Sequence, residues 1–110
     1  MTRGNTRTLE GVIRPGAGGS LSVPIATLEF SASGKGKGGT VYSITKTLAD
    51  GVTVDDSETS AAPYEIEIDP EDTEDFPTDR AIALTYSLTM TEADGKVSTV
   101  VGGVLSVTPN

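Results

Sequence analysis

The sequence predicts an all-β protein, an antiparallel β-sandwich of seven to eight strands with a one-turn helix near residues 70–75. Apolar and polar residues alternate with a period of two in several short segments, which is typical of strands with one buried face. Turn-forming glycine, proline and aspartate separate these segments, and no segment has the apolar period of an amphipathic helix. A chain of 110 residues is one domain by size. We expect an N-terminal arm at residues 1–8 and a single sandwich domain at residues 9–110.

The clearest strand pattern lies in the last third of the chain. Apolar side chains alternate with small or polar ones from residue 82 to residue 90. Asp94-Gly95 follows and predicts a tight hairpin, because glycine adopts the positive φ that such a turn needs. Gly102-Gly103 indicates a bulge or a close backbone contact in the returning strand. That strand is expected to bury Val97, Thr99, Val101, Leu105 and Val107.

Five shorter strands are predicted upstream, near residues 8–14, 21–32, 40–48, 52–55 and 63–69. In the second, the apolar phase changes after Ile25, which predicts a bulge near Ala26. Pro24 favours an edge position there, because proline has no N–H to donate. The tyrosines Tyr42, Tyr64 and Tyr86 are all expected to face inward.

Charge is distributed unevenly along the chain, whose net charge is −8. Residues 1–46 carry six basic and two acidic groups, whereas residues 47–79 carry twelve acidic groups and no basic one. An acidic surface repels phosphates, so no nucleic-acid partner is expected. The uneven distribution arises either by chance or because copies of the chain meet with opposite charges facing. The candidate interface residues are Arg3, Arg7, Arg14, Lys35, Lys37, Glu65, Glu67, Glu71, Asp72 and Asp75.

The acidic stretch PEDTEDFP at residues 70–77 allows two interpretations. In the first, Asp69 caps a single helical turn that begins at Pro70, the acids favour the positive end of the turn, and Phe76 packs onto the core. The acidic side chains then point to water. In the second, the clustered carboxylates bind calcium, although the spacing of an EF-hand loop is absent.

Catalytic and cofactor sites are not expected. The chain has no histidine and no cysteine, which removes the commonest general base and the commonest transition-metal ligands. Every acid is predicted at an exposed position or in a turn, whereas a general acid needs apolar surroundings. Gly34, Gly36 and Gly39 match GxGxxG, but a strand is predicted after them where a dinucleotide site needs a helix. No apolar run approaches 18 residues, so no membrane partner is expected.

Two resemblances to known families extend these predictions. PEDTEDF resembles the PEDTAxYYC corner of immunoglobulin variable domains and implies an immunoglobulin-like sandwich, although that family's cysteine and core tryptophan are absent. Residues 64–109 more closely resemble the small β-sandwich modules of tailed-phage particles, found at the N-terminus of siphophage baseplate upper proteins and in related head and tail accessory proteins. The shared order is a strand with an acidic turn, a tyrosine-bearing strand, an A-D-G hairpin and a strand ending in G-x-L-x-V-x-P, here at residues 66–75, 84–90, 93–96 and 103–109.

The phage resemblance implies a non-enzymatic virion protein, made in the host cytoplasm, that docks on a capsid or tail scaffold and on its own copies as a homo-oligomer. Arg3 and Arg7 of the arm are then expected to reach the acidic segment 65–75 of a neighbouring copy. A chain this short is not expected to carry a receptor-binding head as well. The alternative is a carbohydrate-binding or adhesin-like module, with or without calcium, which an exposed pair of tyrosines would favour.

Overall fold

The computed structural model describes residues 1–109 and confirms the all-β prediction. Two short 3₁₀ turns, Lys37–Gly39 and Pro70–Thr73, are its helical segments, and the second is the helical turn predicted near residues 70–75. The strands are β1 (Arg7–Ile13), β2 (Thr27–Lys35), β3 (Val41–Leu48), β4 (Gly51–Val54), β5 (Ala62–Ile68), β6 (Ile82–Thr91) and β7 (Val97–Val107).

All seven strands belong to one hydrogen-bonded sheet in the order β1-β5-β4-β3-β2-β6-β7. Neighbouring strands are antiparallel except β3 and β4, which run parallel and pair only through Thr47 and Leu48 of β3. Buried side chains from every strand meet in one apolar core, so the sheet curls over on itself. Its two end strands, β1 and β7, are not paired with each other, so contacts other than strand pairing have to close the sheet.

The buried phases of β5 and β6 agree with the alternation in the sequence. Ile66 and Ile68 of β5 and Leu84 and Leu88 of β6 are at most 3% exposed. Full burial of such a side chain contributes about 1.5–3 kcal/mol, so this alternation supplies much of the driving force for folding. Tyr86 of β6 is half-buried.

Two of the tyrosines lie over a glycine of the neighbouring strand. Tyr64 pairs with Gly11 of β1, and Tyr86 pairs with Gly103 of β7. A side chain at either glycine would collide with the hydroxyl end of the tyrosine, because the ring covers the glycine backbone. The predicted close contact at Gly102-Gly103 is therefore confirmed, with the ring of Tyr86 as its partner.

The predicted burial phase of β7 is wrong in its first half. A register shift between Leu88 and Thr89 of β6 leaves Val100 as an extra residue in β7, two positions before Gly102. The shift reverses the phase of β7, so Val97 is 63% exposed and Thr99 also faces solvent. Beyond the bulge, Leu105 and Val107 are buried as predicted.

The predicted first half of the second strand, including the bulge near Ala26, is also wrong. Residues 21–26 are irregular, although Leu21 and Ile25 are each only 5% exposed. The N–H groups of this segment bond partly to backbone carbonyls, Leu21 to Thr59 and Ala26 to Thr91, and partly to side-chain carboxylates. Asp56 Oδ2 accepts a hydrogen bond from the Ile25 N–H at 2.8 Å.

The predicted N-terminal arm lies against its own domain. Thr2 forms a parallel bridge with Thr108, and the amino group of Met1 donates to the carbonyl of Ser106 at 2.7 Å. A turn closed by the Asn5 N–H and the Thr2 carbonyl then reverses the chain into β1. Residues 1–5, which we call the N-terminal clasp, therefore connect the two end strands of the sheet.

The clasp also holds the acidic turn at residues 70–76. The Gly4 N–H donates to Thr73 Oγ1 at 2.9 Å, and Thr73 is fully buried. Arg3 Nε donates to the carbonyl of Phe76 at 2.8 Å, and its Nη2 donates to the carbonyl of Glu74. Arg3 is therefore engaged with the acidic turn of its own chain.

Deleting residues 1–5 should lower the free energy of unfolding by about 3 kcal/mol, since several hydrogen bonds worth about 0.5–1.5 kcal/mol each are lost together. Urea denaturation followed by circular dichroism measures this change. The control is Arg7→Ala, because Arg7 is exposed and lies outside the clasp. That variant should stay within about 0.5 kcal/mol of the wild type. An unchanged midpoint for the deletion would show that the clasp does not stabilise the sheet.

Candidate functional site

A shallow groove crosses the outer face of β1, β5 and β4 and has a volume of about 600 Å³. Val12, which is 44% exposed, and Pro63 supply apolar surface. The carboxylates of Glu10, Asp55 and Glu65 flank it. We call these five residues the acidic groove. Its chemistry fits a surface that carries positive charges beside an apolar side chain.

Two of these carboxylates are direct cross-strand neighbours, because Glu10 of β1 pairs with Glu65 of β5. Like charges at directly opposed positions destabilise an antiparallel pair. Within residues 1–109, neither carboxylate forms an ion pair with a lysine or arginine. The isolated chain therefore carries an electrostatic repulsion on this face that none of its ion pairs relieves.

Asp55 adds a third negative charge to the groove. Its Oδ1 accepts hydrogen bonds from the Ser57 hydroxyl at 2.7 Å and from the Ser57 N–H at 3.2 Å. These two bonds, the hydroxyl first, lower the pKa of Asp55 below its ordinary value of 3.8. Asp55 therefore remains ionised throughout the neutral range.

A basic surface lies at the turn between β2 and β3. Lys35 ends β2 and pairs with Val41 of β3, and Lys37 begins the 3₁₀ turn between them. Both lysines are exposed and form no ion pair within residues 1–109, and Val41 is 60% exposed. We call these three residues the basic tip. It combines two cations with an apolar side chain, which complements the acidic groove.

Lys46 is a buried cation that the sequence analysis missed. It is 7% exposed, and its Nζ lies 2.6 Å from Asp72 Oδ2 and 3.6 Å from Asp69 Oδ2. Asp72 Oδ2 also accepts the Asp69 N–H at 2.7 Å, which fixes the start of the 3₁₀ turn. The signal was present in the sequence, because Lys46 has the same strand phase as Ile44 and Leu48.

The acidic turn is therefore partly an ion-pair site. The prediction that its acids point to water holds for Glu71 and Asp75, which are exposed, and is wrong for Asp72, which is half-buried against Lys46. The Lys46 ammonium lies where a bound cation would meet Asp69 and Asp72. Among residues 1–109, no group of three or more acidic side chains has the arrangement of a metal site.

Burial and charge act in opposite directions on Lys46. Burial by itself lowers the pKa of Lys46, whereas the hydrogen bond and the charge of Asp72, with a smaller contribution from Asp69, raise it. The raising effects prevail, so the pKa of Lys46 lies above its ordinary value of 10.5. The ammonium is charged at neutral pH and links β3 to the acidic turn.

A second cavity, of about 680 Å³, lies between the end of β1, the start of β7 and the loop at residues 15–20. Glu92 begins the β6–β7 turn, as its predicted place in a turn requires, but it lines this cavity and is only 6% exposed, so a turn position does not leave this acid open to solvent. The reason is the irregular segment 21–26, which packs against the β6–β7 hairpin. The Ala93 N–H donates to the Ser22 carbonyl, and the Ser22 N–H donates to Glu92 Oε1 at 2.9 Å.

The structure disperses the ten predicted interface residues over several surfaces. Lys35 and Lys37 lie together at the basic tip, and Glu71, Asp72 and Asp75 lie together at the acidic turn, where Arg3 also binds. Glu65 flanks the acidic groove, and Glu67 faces outward from the same strand. Arg7 is exposed at the start of β1, and Arg14 lines the cavity beside Glu92. Glu10 and Asp55 were missed, because their significance depends on strand register.

The three tyrosines do not form an exposed aromatic face. Tyr64 is 9% exposed, and Tyr42 and Tyr86 are half-buried. The ring of Tyr42 lies 5.1 Å from that of Phe76, and the ring of Tyr86 stacks on Phe30 at 5.6 Å. Burial, with a smaller contribution from Tyr86, raises the pKa of Tyr64. The aromatic surface that sugar binding usually uses is engaged in packing.

No protein-family model, curated protein or solved structure matches this chain. Neither 3₁₀ turn within residues 1–109 has the length or the apolar character to cross a membrane. A fold of this kind supports many activities, so function depends on the surfaces described above.

Asp72→Asn should lower the free energy of unfolding by about 2 kcal/mol at pH 7, because Lys46 would keep only its longer contact with Asp69. Since the folded pKa of Lys46 is raised, the ion pair stabilises the protein fully below the unfolded value of 10.5. That stabilisation is lost as the pH rises through the folded pKa, so the difference between variant and wild type should shrink above about pH 10.5.

Denaturation with urea at a series of pH values measures this difference. Glu71→Gln is the matched control, since Glu71 is exposed on the same turn, and it should stay within about 0.5 kcal/mol of the wild type. Equal stability of Asp72→Asn and wild type at pH 7 would contradict a stabilising role for the Lys46 ion pair.

Proposed function

We propose that this protein is a non-enzymatic structural or assembly protein of a tailed-phage particle, which docks on a capsid or tail scaffold and on its own copies. The observation that carries the docking part of the proposal is the opposition of Glu10 and Glu65 in the acidic groove, without a basic ion-pair partner among the described residues. A partner that brings cations to this groove replaces repulsion by attraction. Docking therefore relieves the repulsion between Glu10 and Glu65 that is already present in the isolated chain.

The basic tip of a second copy has the composition that the groove requires. Lys35 and Lys37 supply two cations, and Val41 supplies an apolar side chain for the surface of Val12 and Pro63. A contact between groove and tip uses different surfaces of the two copies, so it generates a ring when the rotation closes and a filament when it does not. Rings and lattices are the architectures of phage heads and tails.

Weak contacts of this kind hold a subunit in place when they are repeated around a symmetric assembly. An exposed ion pair contributes about 0–1 kcal/mol, which by itself is too little for a stable complex. A subunit held at several points of a symmetric assembly binds far more tightly than any single contact would allow. The proposal therefore predicts weak self-association in solution and firm attachment only within a particle.

The docking elements in this proposal differ from the predicted arm. Arg3 donates to carbonyl groups of its own acidic turn, and residues 1–5 bind the end of β7. The acidic groove and the basic tip therefore replace the predicted arm as the docking elements of this proposal. The packing of the tyrosines favours docking over sugar binding.

The phage assignment is supported by the order of motifs in residues 64–109. Strand β5, the acidic 3₁₀ turn, strand β6, the Asp94-Gly95 hairpin and strand β7 follow one another in an order that resembles the small sandwich modules of tailed-phage virion proteins. Genes for capsid, portal or tail proteins next to this one would support the assignment. A neighbourhood of genes for secreted enzymes would contradict it.

Glu65→Gln should raise the stability of the isolated protein by about 0.5 kcal/mol, because it relieves the cross-strand repulsion, and should also weaken self-association. The double variant Lys35→Gln/Lys37→Gln should weaken self-association without the gain in stability. Urea denaturation measures the first property, and sedimentation velocity over a concentration series measures the second.

Glu29→Gln is the matched control, since Glu29 is an exposed strand glutamate opposite Thr47 and Thr89, with no acidic residue directly across from it. Glu29→Gln should change neither the free energy of unfolding nor the self-association. Self-association that is unaffected by both the Glu65 and the lysine substitutions would overturn the contact between groove and tip.

A further inference from the structure

The cavity beside Glu92 is a cleft that shares Val12 with the edge of the acidic groove and is otherwise lined by different residues. It opens where the two end strands of the sheet approach, between residues 12–14 of the β1 end and residues 98–100 of β7. The glycine-containing loop 15–20 forms another wall. A volume of about 680 Å³ lies in the range of about 300–1,000 Å³ that is usual for ligand sites.

Apolar side chains form a large part of the cleft lining. Ile13, Leu21 and Met90 line the cleft and are 3%, 5% and 4% exposed. All three belong to the hydrophobic core, so this part of the lining is held rigidly by packing. The aliphatic part of a ligand would find a preformed apolar surface here.

Glu92 gives the cleft a buried negative charge. Its Oε1 accepts the Ser22 N–H, but its second oxygen has no hydrogen-bond donor among residues 1–109, and no lysine or arginine there pairs with the carboxylate. Among residues 1–109, every side-chain nitrogen or oxygen atom that solvent cannot reach has a hydrogen-bond partner, whereas the second oxygen of Glu92 has none. The second oxygen is therefore still reachable from outside. Glu92 is only 6% exposed and has no cation beside it, so a cationic ligand would supply the carboxylate with a partner of opposite charge.

We propose that this cleft binds an organic cation on an apolar stem, an alkylammonium or alkylguanidinium group such as a lysine or arginine side chain provides. The cation binds the free oxygen of Glu92, and the methylene groups lie on Ile13, Leu21 and Met90, as the long stems of basic residues do on apolar surfaces. Arg14 and Lys96 also line the cleft, and both are exposed. They disfavour a polycation and favour a ligand with an acidic group next to the basic one.

The test uses acetyl-aspartyl-arginine amide as the probe, titrated into ¹⁵N-labelled protein and followed by NMR. Its matched control is acetyl-aspartyl-citrulline amide, which has nearly the same shape without the positive charge. We expect dissociation constants near 1 mM for the arginine probe, with shifts at the amides of Ser22, Glu92 and Lys96. The citrulline probe should bind at least about tenfold more weakly. Butylguanidine, which carries a single positive charge, is titrated in parallel, and tighter binding of butylguanidine would identify a free small cation as the ligand of the same site.

Glu92→Gln removes the charge but keeps an acceptor for the Ser22 N–H, so it should remain folded and bind the arginine probe at least about tenfold more weakly. Glu74→Gln, at an exposed position on the acidic turn, should bind like the wild type. Equal affinity for the arginine and citrulline probes would overturn the proposal, as would unaltered binding by Glu92→Gln. Shifts confined to the acidic groove, or no shifts up to about ten times the expected dissociation constant, would also overturn it.

Discussion

The whole architecture depends on how one curled sheet with two ends is held together. Strands β1 and β7 are the ends of the strand order, and the N-terminal clasp bonds the chain leading into β1 to the end of β7. The same five residues hold the acidic turn through Thr73 and Phe76. Both candidate sites depend on this link, because β1 forms one wall of the acidic groove and one wall of the cleft beside Glu92.

The sequence was most informative where alternation and turn chemistry agreed. Strand β6 and the Asp94-Gly95 hairpin were predictable because the period-two pattern is long and the turn residues are specific. The burial phase of β7 was not predictable. Val100 and Val101 are adjacent and apolar, so the alternation fits either phase on each side of the bulge. Lys46 was predictable in principle from its phase in β3, but a lysine within an apolar series is normally interpreted as exposed.

The candidate docking surfaces were much less predictable from the sequence. The uneven charge distribution predicted Lys35, Lys37 and Glu65 as interface residues, with a chance distribution as the alternative. The opposition of Glu10 and Glu65 depends on the register between two strands that are far apart in the chain. The burial of Glu92 depends on the packing of an irregular segment over a hairpin turn, for which a single sequence carries no periodic signal.

Relief of the repulsion in the acidic groove by a cationic surface of a second copy is tested most directly by the salt dependence of self-association. Sedimentation equilibrium at about 50 mM and 500 mM sodium chloride should show an association constant that falls by roughly tenfold or more, as screening weakens contacts between exposed charges. An association constant that is unchanged or increased at high salt would contradict the account.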